Sequence, residues 1–480
     1  MLCTPKQGGE TMSLFPTLII PTCLRRVDVS EFAQIVNHPT FQALRGRSQL
    51  SCVDKIFPGA RHSRLEHSIF VFHFTTELLL GLYGLVEKGC ISKLQARTLQ
   101  IAALLHDIGH PPFSHAIEQV LGHLLNPQCP VTHHDRAKEL IHGNKKDSKG
   151  ETLAQAIEKC GVDVCRVEDI ILKADLFRSD KQSSLISHNT LGTDKLSYIL
   201  VDSYHSGYLH QLPLILDMFP WYCFSPLGVS EKIRDMVMCI QQIIQDMYEH
   251  VYYDRCVVQY ARMLQKATEL QITSVSQRAG VNNVDASEAW KISEDSALLY
   301  ELGASHHPIV SDLAERYADH RLFYPILELK HPAHLTKAEG RCLQAEVEPK
   351  TIEYIVQRYG NPLNLTLLEN AIEAHFNLPR GNILTVLSGN PKRLIPEDVP
   401  LFDANGQKID TLFERYPDHY KSLIERANSF FGLIIYGTQK AVQVLGGQLN
   451  PPEEFGTAFN LPPKHEELKA FVLENISKPL

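Results

Sequence analysis

Residues 103–115, ALLHDIGHPPFSH, bring three histidines and an aspartate together behind an apolar run. His106 and Asp107 are adjacent, and His110 and His115 follow them closely. Imidazole nitrogens and carboxylate oxygens bind metal ions and transfer protons, so this spacing favours a metal centre or an acid–base site. On a helix, adjacent residues point about 100° apart, so His106 and Asp107 reach one cation only along a single edge.

Two other segments offer further ligands. RHSRLEHSI places His67 at the start of an apolar helix, and GTDKLSYILVD places Asp194 at the start of another. Tyr198 and Asp202 follow Asp194 at i+4 and i+8, on the same helical face. A single histidine on an apolar face is usually a core residue, so the prediction depends on the whole set. Two imidazoles and two carboxylates suit a divalent ion, Fe, Mn, Zn or Ni, and Mg less well. The predicted metal ligands are His67, His106, Asp107 and Asp194.

Breaks in the helical pattern set the directions in which these candidate side chains point. LQIAALLHDIGHPP is typical of a helix that stops near Ile108. Gly109 suits a C-cap, and Pro111 disfavours helical geometry in the residue before it. We expect Ser114 to cap a second helix, on which Glu118 lies one turn after the start. The two helices would then approach one cavity from different sides.

The whole chain indicates a mostly helical protein with a smaller α+β lobe. From residue 27 to about 270, apolar residues recur at spacings of three and four, and strand patterns are nearly absent. After about residue 331, AEVEPKTIEYIVQRYG, NILTVLSGNPKRL and SFFGLIIYGT contain short β-like runs punctuated by Gly and Pro. The predicted units are an irregular N-terminal arm (1–26), an all-helical catalytic domain (27–330) and an α+β C-terminal lobe (331–480).

Composition excludes several classes of protein. The net charge of −8 argues against a surface that binds duplex nucleic acid. The 11 cysteines are odd in number and form no CxxC pair, which favours free thiols in a reducing compartment. No apolar run approaches the roughly 20 residues of a membrane span. We therefore expect a cytoplasmic protein without a membrane or duplex nucleic-acid partner.

With these residues in place, the chain resembles the HD-domain metal-dependent phosphohydrolase superfamily. The likeness is greatest to its deoxynucleoside-triphosphate triphosphohydrolase branch. It is carried by FPGARHSRLEHSIFV, LQIAALLHDIGHPPFSHAIE, HHDRA and TDKLSYILVDSYHSG, and it extends over about residues 30–330. The resemblance implies a helical HD core that hydrolyses dNTPs to deoxynucleoside and triphosphate.

The resemblance also implies roles for further residues. The implied catalytic group is His110, His115, Glu118 and His133. The implied phosphate contacts are Arg64, Lys195 and Arg255. The implied sugar contacts are Gln49, Tyr198, Asp202 and Tyr252, the two tyrosines excluding a 2′-hydroxyl. We expect His115 to donate the proton, with Glu118 raising the pKa of its ring, and His110 to be the second choice. Packing or solvation is the alternative interpretation for His133, Tyr252 and Arg255.

The resemblance implies a homo-oligomer and, in relatives, an activating nucleotide. Asn37 stands where relatives carry a carboxylate, although Gln42 and Arg45 are present, so we expect an altered or absent activator pocket. HDIGHP lacks the acidic pair of guanosine-tetraphosphate hydrolases, and Gly207-Tyr208-Leu209 replaces the Gly-Tyr-Pro of HD-GYP phosphodiesterases. Two alternatives stay open: an HD-type phosphohydrolase or phosphodiesterase for another nucleotide, and a non-catalytic nucleotide-binding regulator.

Overall fold

Helices dominate the protein, and its strands form three small sheets. The computed structural model describes residues 17–20, 25–176, 182–208, 215–279, 286–292, 294–334, 343–445 and 464–477. The predicted mostly helical class with a smaller α+β lobe is confirmed. Within those ranges, every helix is too short or too polar to cross a membrane.

Two short strands precede the helical core. β1 (Thr17–Ile20) and β2 (Arg25–Asp28) pair antiparallel. The predicted irregular arm over 1–26 is therefore partly wrong, because the β-branched and apolar run TLII favours an extended strand. The rest of that arm, 1–16 and 21–24, lies outside the described residues.

The helical core is arranged around one buried helix. The helices before the C-terminal lobe are α1 (Ala33–Val36), α2 (Pro39–Gln42), α3 (Arg64–Leu80), α4 (Lys93–Leu105), α5 (Ser114–Leu125), α6 (His133–Ile141), α7 (Leu153–Lys159), α8 (Val164–Leu176), α9 (Ser184–Ser187), α10 (Thr193–Ser206), α11 (Arg234–Met247), α12 (Arg255–Ala279), α13 (Ala286–Lys291), α14 (Asp295–Gly303) and α15 (Pro308–Ala318). α3 is buried on nearly all sides and packs against α4 and α10. A helix that is apolar around its circumference belongs in a core. The segments with the predicted metal ligands therefore meet at α3.

The turn after α4 departs from the expected capping. α4 ends at Leu105 with His106 as its C-cap, earlier than the predicted stop. Gly109 instead allows α6 to approach. A Cβ at residue 109 would overlap the carbonyl oxygen of His133 and lie 2.6 Å from the backbone nitrogen of Ala137. Only glycine tolerates this contact without a backbone shift.

The start of α5 also differs from the prediction. Phe113 is the N-cap, and both Phe113 and Ser114 have left-handed backbone angles, with φ of 54° and 49°. The Ser114 hydroxyl does not cap the helix. It donates to the carbonyl of Ser48 at 2.6 Å and accepts from Arg64 Nε at 2.9 Å. Its partners are distant in sequence, so local spacing does not reveal them.

Helix α11 leads into a π-helical turn, Tyr248–Tyr252, before α12 begins. The turn shifts the register between the two helices and turns aromatic side chains toward α10. Tyr198 and Tyr252 meet edge to face with ring centroids 6.3 Å apart. π-helical turns are frequent at functional sites.

Strands link the two predicted domains. β3 (Tyr222–Cys223), β4 (Gly228–Ser230), β5 (Tyr324–Lys330), β6 (Leu343–Glu346), β7 (Ile383–Ser388), β8 (Pro400–Phe402), β9 (Lys408–Thr411) and β10 (Gly432–Gly437) form two four-stranded sheets, ordered β3-β4-β8-β9 and β6-β5-β10-β7. β4 pairs with β8 in parallel, Val229 opposite Leu401. The predicted all-helical domain over 27–330 thus contains β3, β4 and β5. The boundary at 330 falls directly after β5, a central strand of the lobe's own sheet.

The helices of the C-terminal lobe are α16 (Pro349–Tyr359), α17 (Pro362–His375), α18 (Pro391–Leu394), α19 (Leu412–Arg415), α20 (Pro417–Ser429), α21 (Gln439–Val444) and α22 (His465–Ser477). The lobe is joined to α12 by buried charges. The Glu369 carboxylate accepts from Arg262 at 3.1 Å and lies 2.9 Å from Lys266 Nζ. All three side chains are almost fully buried.

We expect Gly109→Ala to lower the free energy of unfolding by about 3 kcal/mol, because the added methyl group must displace α6. Gly303→Ala is the matched control. A Cβ there meets nothing within 4 Å, so its effect should stay below about 1 kcal/mol. Urea denaturation of both variants measures the difference. Equal losses in the two variants would contradict the close approach at Gly109.

Candidate metal and catalytic site

Most of the residues singled out from the sequence line one cavity of about 590 Å³. They are Gln49, Arg64, His67, His106, Asp107, His110, His115, His133, Asp194, Tyr198, Asp202 and Tyr252. Glu118 and Lys195 line a neighbouring cavity of about 530 Å³. Both cavities share His115 and His133. Side chains that are distant in sequence therefore meet in one connected region.

Donor atoms of four side chains converge where α3, α4 and α10 meet. His67 Nε2 lies 3.3 Å from His106 Nε2 and from Asp107 Oδ2, and 3.0 Å from Asp194 Oδ1. His106 Nε2 lies 3.4 Å from Asp107 Oδ1 and 3.6 Å from Asp194 Oδ1. Ligands about 2.1 Å from an ion and at right angles are roughly 3 Å apart. The four side chains therefore fit one divalent ion.

The surroundings of His106 suit a metal ligand. Its Nδ1 lies 2.9 Å from the carbonyl oxygen of Ala103, which leaves Nε2 directed at the carboxylates. Burial lowers the pKa of His106, but Asp107 and Asp194 outweigh burial and raise the pKa to about 9. This electrostatic field favours a positive charge beside the two carboxylates, whether that charge is a proton or a metal ion.

Arg64 orients Asp107 with donors that were expected to bind phosphate. Its Nη1 donates to Asp107 Oδ2 at 2.6 Å, its Nε to Ser114 Oγ at 2.9 Å, and its Nη2 to the carbonyl of Gln49 at 3.3 Å. Burial raises the pKa of Asp107, but Arg64 and His106 hold it well below its usual range. Each guanidinium nitrogen thus has a protein partner, and the side chain is buried.

A second cluster forms around Glu118. Its Oε2 lies 2.9 Å from His115 Nδ1 and 3.4 Å from His110 Nδ1, and its Oε1 lies 2.8 Å from His133 Nδ1. The rings of His110 and His133 stack with centroids 3.8 Å apart. His133 therefore belongs to the cluster and does not lie in a solvated turn. One carboxylate serves three imidazoles.

Glu118 raises the pKa of His115, as expected, but the net shift of that pKa is in the opposite direction. Burial and the neighbouring His110 lower the pKa of His115 to about 4, despite the hydrogen bond to Glu118. Burial, together with Arg64, also lowers the pKa of His110 to about 4. The carboxylate is shared among three rings and does not fully offset these effects. The His115 side chain is 56% exposed and borders both cavities.

The residues that were expected to contact the sugar all line the cavity. Asp194, Tyr198 and Asp202 all face it, as their spacing on α10 predicts. Asp202 accepts from the Tyr252 hydroxyl at 2.7 Å, and its other oxygen lies 2.8 Å from His62 Nε2. Both oxygens of Asp202 are therefore already engaged with protein groups.

Of the two other expected phosphate contacts, Lys195 lines a cavity and Arg255 does not. Arg255 lies in neither cavity lining, because its guanidinium donates to both oxygens of Glu328 on β5, at 2.5 and 2.7 Å. The role of Arg255 as a phosphate contact stays a prediction. Lys195 contacts the Tyr198 hydroxyl, and its ammonium lies 5.6 Å from the ring of Tyr248. It faces the neighbouring cavity.

Tyr248 and Arg393 are among the lining residues that sequence reasoning missed. Tyr248 lies one turn before Tyr252, which the π-helical register brings into the same wall. Arg393 comes from the C-terminal lobe, to which the sequence assigned no role. The basic, turn-forming run GNPKR was its only signal.

Comparisons with known proteins identify a family domain that contains three of the four predicted metal ligands, His67, His106 and Asp107. Residues 64–164 match the family model of the HD domain. The chain is 29% identical over 194 residues to the deoxynucleoside triphosphate triphosphohydrolase SAMHD1 of Homo sapiens, over 36% of this chain and 30% of that protein. It is 28% identical over 244 residues to the SAMHD1 homolog of Dictyostelium discoideum, over 48% of this chain and 43% of that protein. The chain thus spans less than half the length of either relative.

Solved structures show the same fold. A phosphohydrolase from Bacteroides thetaiotaomicron superposes with a TM-score of 0.64 at 18% identity, over 88% of this chain and 99% of that one. A hypothetical protein from Aquifex aeolicus gives a TM-score of 0.61 at 18% identity, over 89% and 97% of the two chains. The likeness extends well beyond the HD domain and includes most of the C-terminal lobe.

We expect Asp107→Ala and Asp194→Ala to lower the bound divalent metal at least about 10-fold, because each removes a ligand oxygen. Asp235→Ala on α11 is the matched control, since that carboxylate is 80% exposed. Elemental analysis of the purified proteins measures the metal. Asp194 is partly exposed, so Asp194→Ala should fold. It should do so even if Asp107→Ala unfolds through the loss of the ion pair with Arg64. Wild-type metal content in both site variants would refute the ligand set.

Proposed function

We propose that this chain, whose residues 64–164 form an HD domain of the phosphohydrolase type, hydrolyses dNTPs to deoxynucleoside and triphosphate. One observation carries the proposal. The metal-ligand cluster and the Glu118–histidine cluster lie in connected cavities, and His110 joins them, 3.3 Å from Asp107 and 3.4 Å from Glu118. The two SAMHD1 relatives support the choice of dNTP.

A divalent ion fits the carboxylate and imidazole donors His67, His106, Asp107 and Asp194. When bound, it supplies an activated water and polarises a phosphoryl oxygen. Fe, Mn, Zn, Ni and Mg all remain candidates, because the donor set contains no thiolate. Arg64 contributes by fixing the position of Asp107 and partly balancing its charge.

Residues of α10 and of the π-helical turn would hold the sugar. Tyr198 and Tyr252 form an aromatic wall, and the hydrogen bond from Tyr252 to Asp202 fixes that wall in place. A sugar lying against this wall has little space for a 2′-hydroxyl. Across the cavity, Gln49 Oε1 is buried and has no hydrogen-bond partner among the described residues, so it can accept from a sugar hydroxyl.

His115 is the group best placed to give a proton to the leaving oxygen. It is the most exposed member of its cluster, and Glu118 fixes its Nδ1, which leaves Nε2 for the substrate. With its pKa near 4, the ring is neutral at pH 7. A bound polyphosphate places negative charge beside the ring and raises its pKa, so the substrate itself promotes protonation.

Product analysis tests the proposal directly. Metal-loaded protein is incubated with each dNTP and each NTP, and the products are separated by ion exchange. We expect intact triphosphate and deoxynucleoside, and at least about 10-fold lower turnover of the matching NTP, because the tyrosine wall excludes the 2′-hydroxyl. Orthophosphate or pyrophosphate as the product would refute the cleavage position. If the metal-loaded protein hydrolyses none of these nucleotides, the result would favour the alternative of a non-catalytic nucleotide-binding regulator.

We expect His115→Ala to keep its metal and its melting temperature while turnover falls about 10²–10⁴-fold, as for the loss of a general acid. His142→Ala is the matched control, because His142 pairs with Glu168 outside both cavities. Loss of bound metal in the His115 variant would make this residue a ligand. Unchanged turnover would transfer the role of proton donor to His110. The homo-oligomer, the activating nucleotide and the cytoplasmic location stay predictions.

A further inference from the structure

Lysine and arginine side chains around the two cavities differ in how much charge they can offer to a ligand. Among the described residues, the cavity-lining ones are Arg64, Arg262, Lys195 and Arg393. Arg64 is paired with Asp107 at 2.6 Å, and Arg262 with Glu369 at 3.1 Å, and both guanidinium groups are buried. Neither arginine can therefore balance much of the charge of a polyphosphate.

Arg393 is in the opposite situation. Its side chain is exposed, and it lines both cavities. No described carboxylate forms an ion pair with it. Tyr253, directly after the π-helical turn, and Tyr248, within it, raise the pKa of the guanidinium together with Glu118. The charge is therefore permanent and borders both cavities.

The backbone around Arg393 is fixed on both sides. Gly389 turns the chain after β7 with φ of 95°. A Cβ at this position would lie 2.7 Å from the carbonyl oxygen of Phe430, so a side chain there would collide with that residue. The amide of Arg393 donates to the carbonyl of Asn390 at 2.9 Å. The next residue, Leu394, is fully buried, and its carbonyl accepts from Gln245 Nε2 at 3.1 Å. The arginine is therefore held against α11 while its side chain stays free.

The neighbouring cavity has the chemistry of an anion subsite. His115, Lys195 and Arg393 all line it, and His115 also borders the metal-ligand cavity. A chain of phosphates that starts at the metal ligands and passes His115 would enter this space. Arginine suits such a ligand, because its planar fork binds phosphate oxygens in pairs.

We propose that Arg393 of the C-terminal lobe binds the terminal phosphates of the substrate, with Lys195, in the cavity beside the metal ligands. The inference rests on the proposed function, since it assumes a nucleoside polyphosphate as the ligand. It assigns the lobe a direct share in the substrate site. It also supplies a phosphate contact that does not depend on Arg255, which is paired with Glu328.

Direct binding tests the inference. Isothermal titration of the metal-loaded full chain uses inorganic tripolyphosphate as one probe and the matching deoxynucleoside as the other. We expect Arg393→Ala to weaken tripolyphosphate binding roughly 10- to 100-fold, as for the loss of a charge-assisted contact. Arg393→Lys should restore part of the affinity, because it keeps the charge without the fork. Affinity for the deoxynucleoside and the melting temperature should not change. KM for the dNTP should rise by a factor similar to the loss of tripolyphosphate affinity.

Lys421→Ala is the matched control, because Lys421 is a 73% exposed cation on α20 of the same lobe. It should bind tripolyphosphate like the wild type. If wild type binds tripolyphosphate and Arg393→Ala binds it equally well, the inference about Arg393 is overturned and the proposed function stands. If the wild type neither binds tripolyphosphate nor cleaves dNTPs, the proposed function fails and the inference fails with it. An equal loss of tripolyphosphate affinity in Lys421→Ala would show that the effect comes from the overall charge of the protein. It would also overturn the role assigned to Arg393.

Discussion

The geometry of the site depends on the buried ion pair between Arg64 and Asp107. Arg64 opens α3 one turn before His67, and Asp107 follows His106 at the end of α4, so their contact fixes the two helix ends against each other. The remaining donors of Arg64 bind the Ser114 hydroxyl and the Gln49 carbonyl, and both of these residues line the cavity. Breaking a buried pair by removing one partner typically costs about 3–5 kcal/mol, so this contact also contributes to the stability of the core.

Local spacing was enough to predict the groups that share a helix or a turn. The adjacent His106 and Asp107, and the i, i+4, i+8 series that begins at Asp194, needed only helical periodicity to be brought together. Ser114 was assigned wrongly for the opposite reason, and the pairing of Arg255 with Glu328 was not foreseen. The partners of these two residues, Ser48 and Glu328, are far away in sequence, and no capping or spacing rule includes such a partner. The pKa of His115 also depends on distant rings that crowd around one carboxylate.

The fold class could be predicted from the periodicity of apolar residues. The strand pairings that connect the helical domain with the C-terminal lobe could not. Apolar spacing separates helical from β-rich segments, and a composition change near residue 331 was a reasonable boundary. The structure crosses that boundary twice. β5 joins the later sheet, and β8 returns to pair with β4. Pairing between strands so far apart leaves no local pattern in either one, which is why Arg393 was not connected with the site.

The parallel pairing of β4 with β8 also sets an order of assembly during synthesis. A ribosome releases the chain from its amino end, and domains generally fold as units in that direction. Every residue of the metal-ligand cluster has been made once α10 is complete, whereas the partner of Val229, Leu401, follows much later. Contacts at such separation also form slowly. The nascent protein thus passes through a stage in which the ligand cluster can assemble while its cavity still lacks one wall, so an ion could enter by a wider path than any open to it in the finished protein.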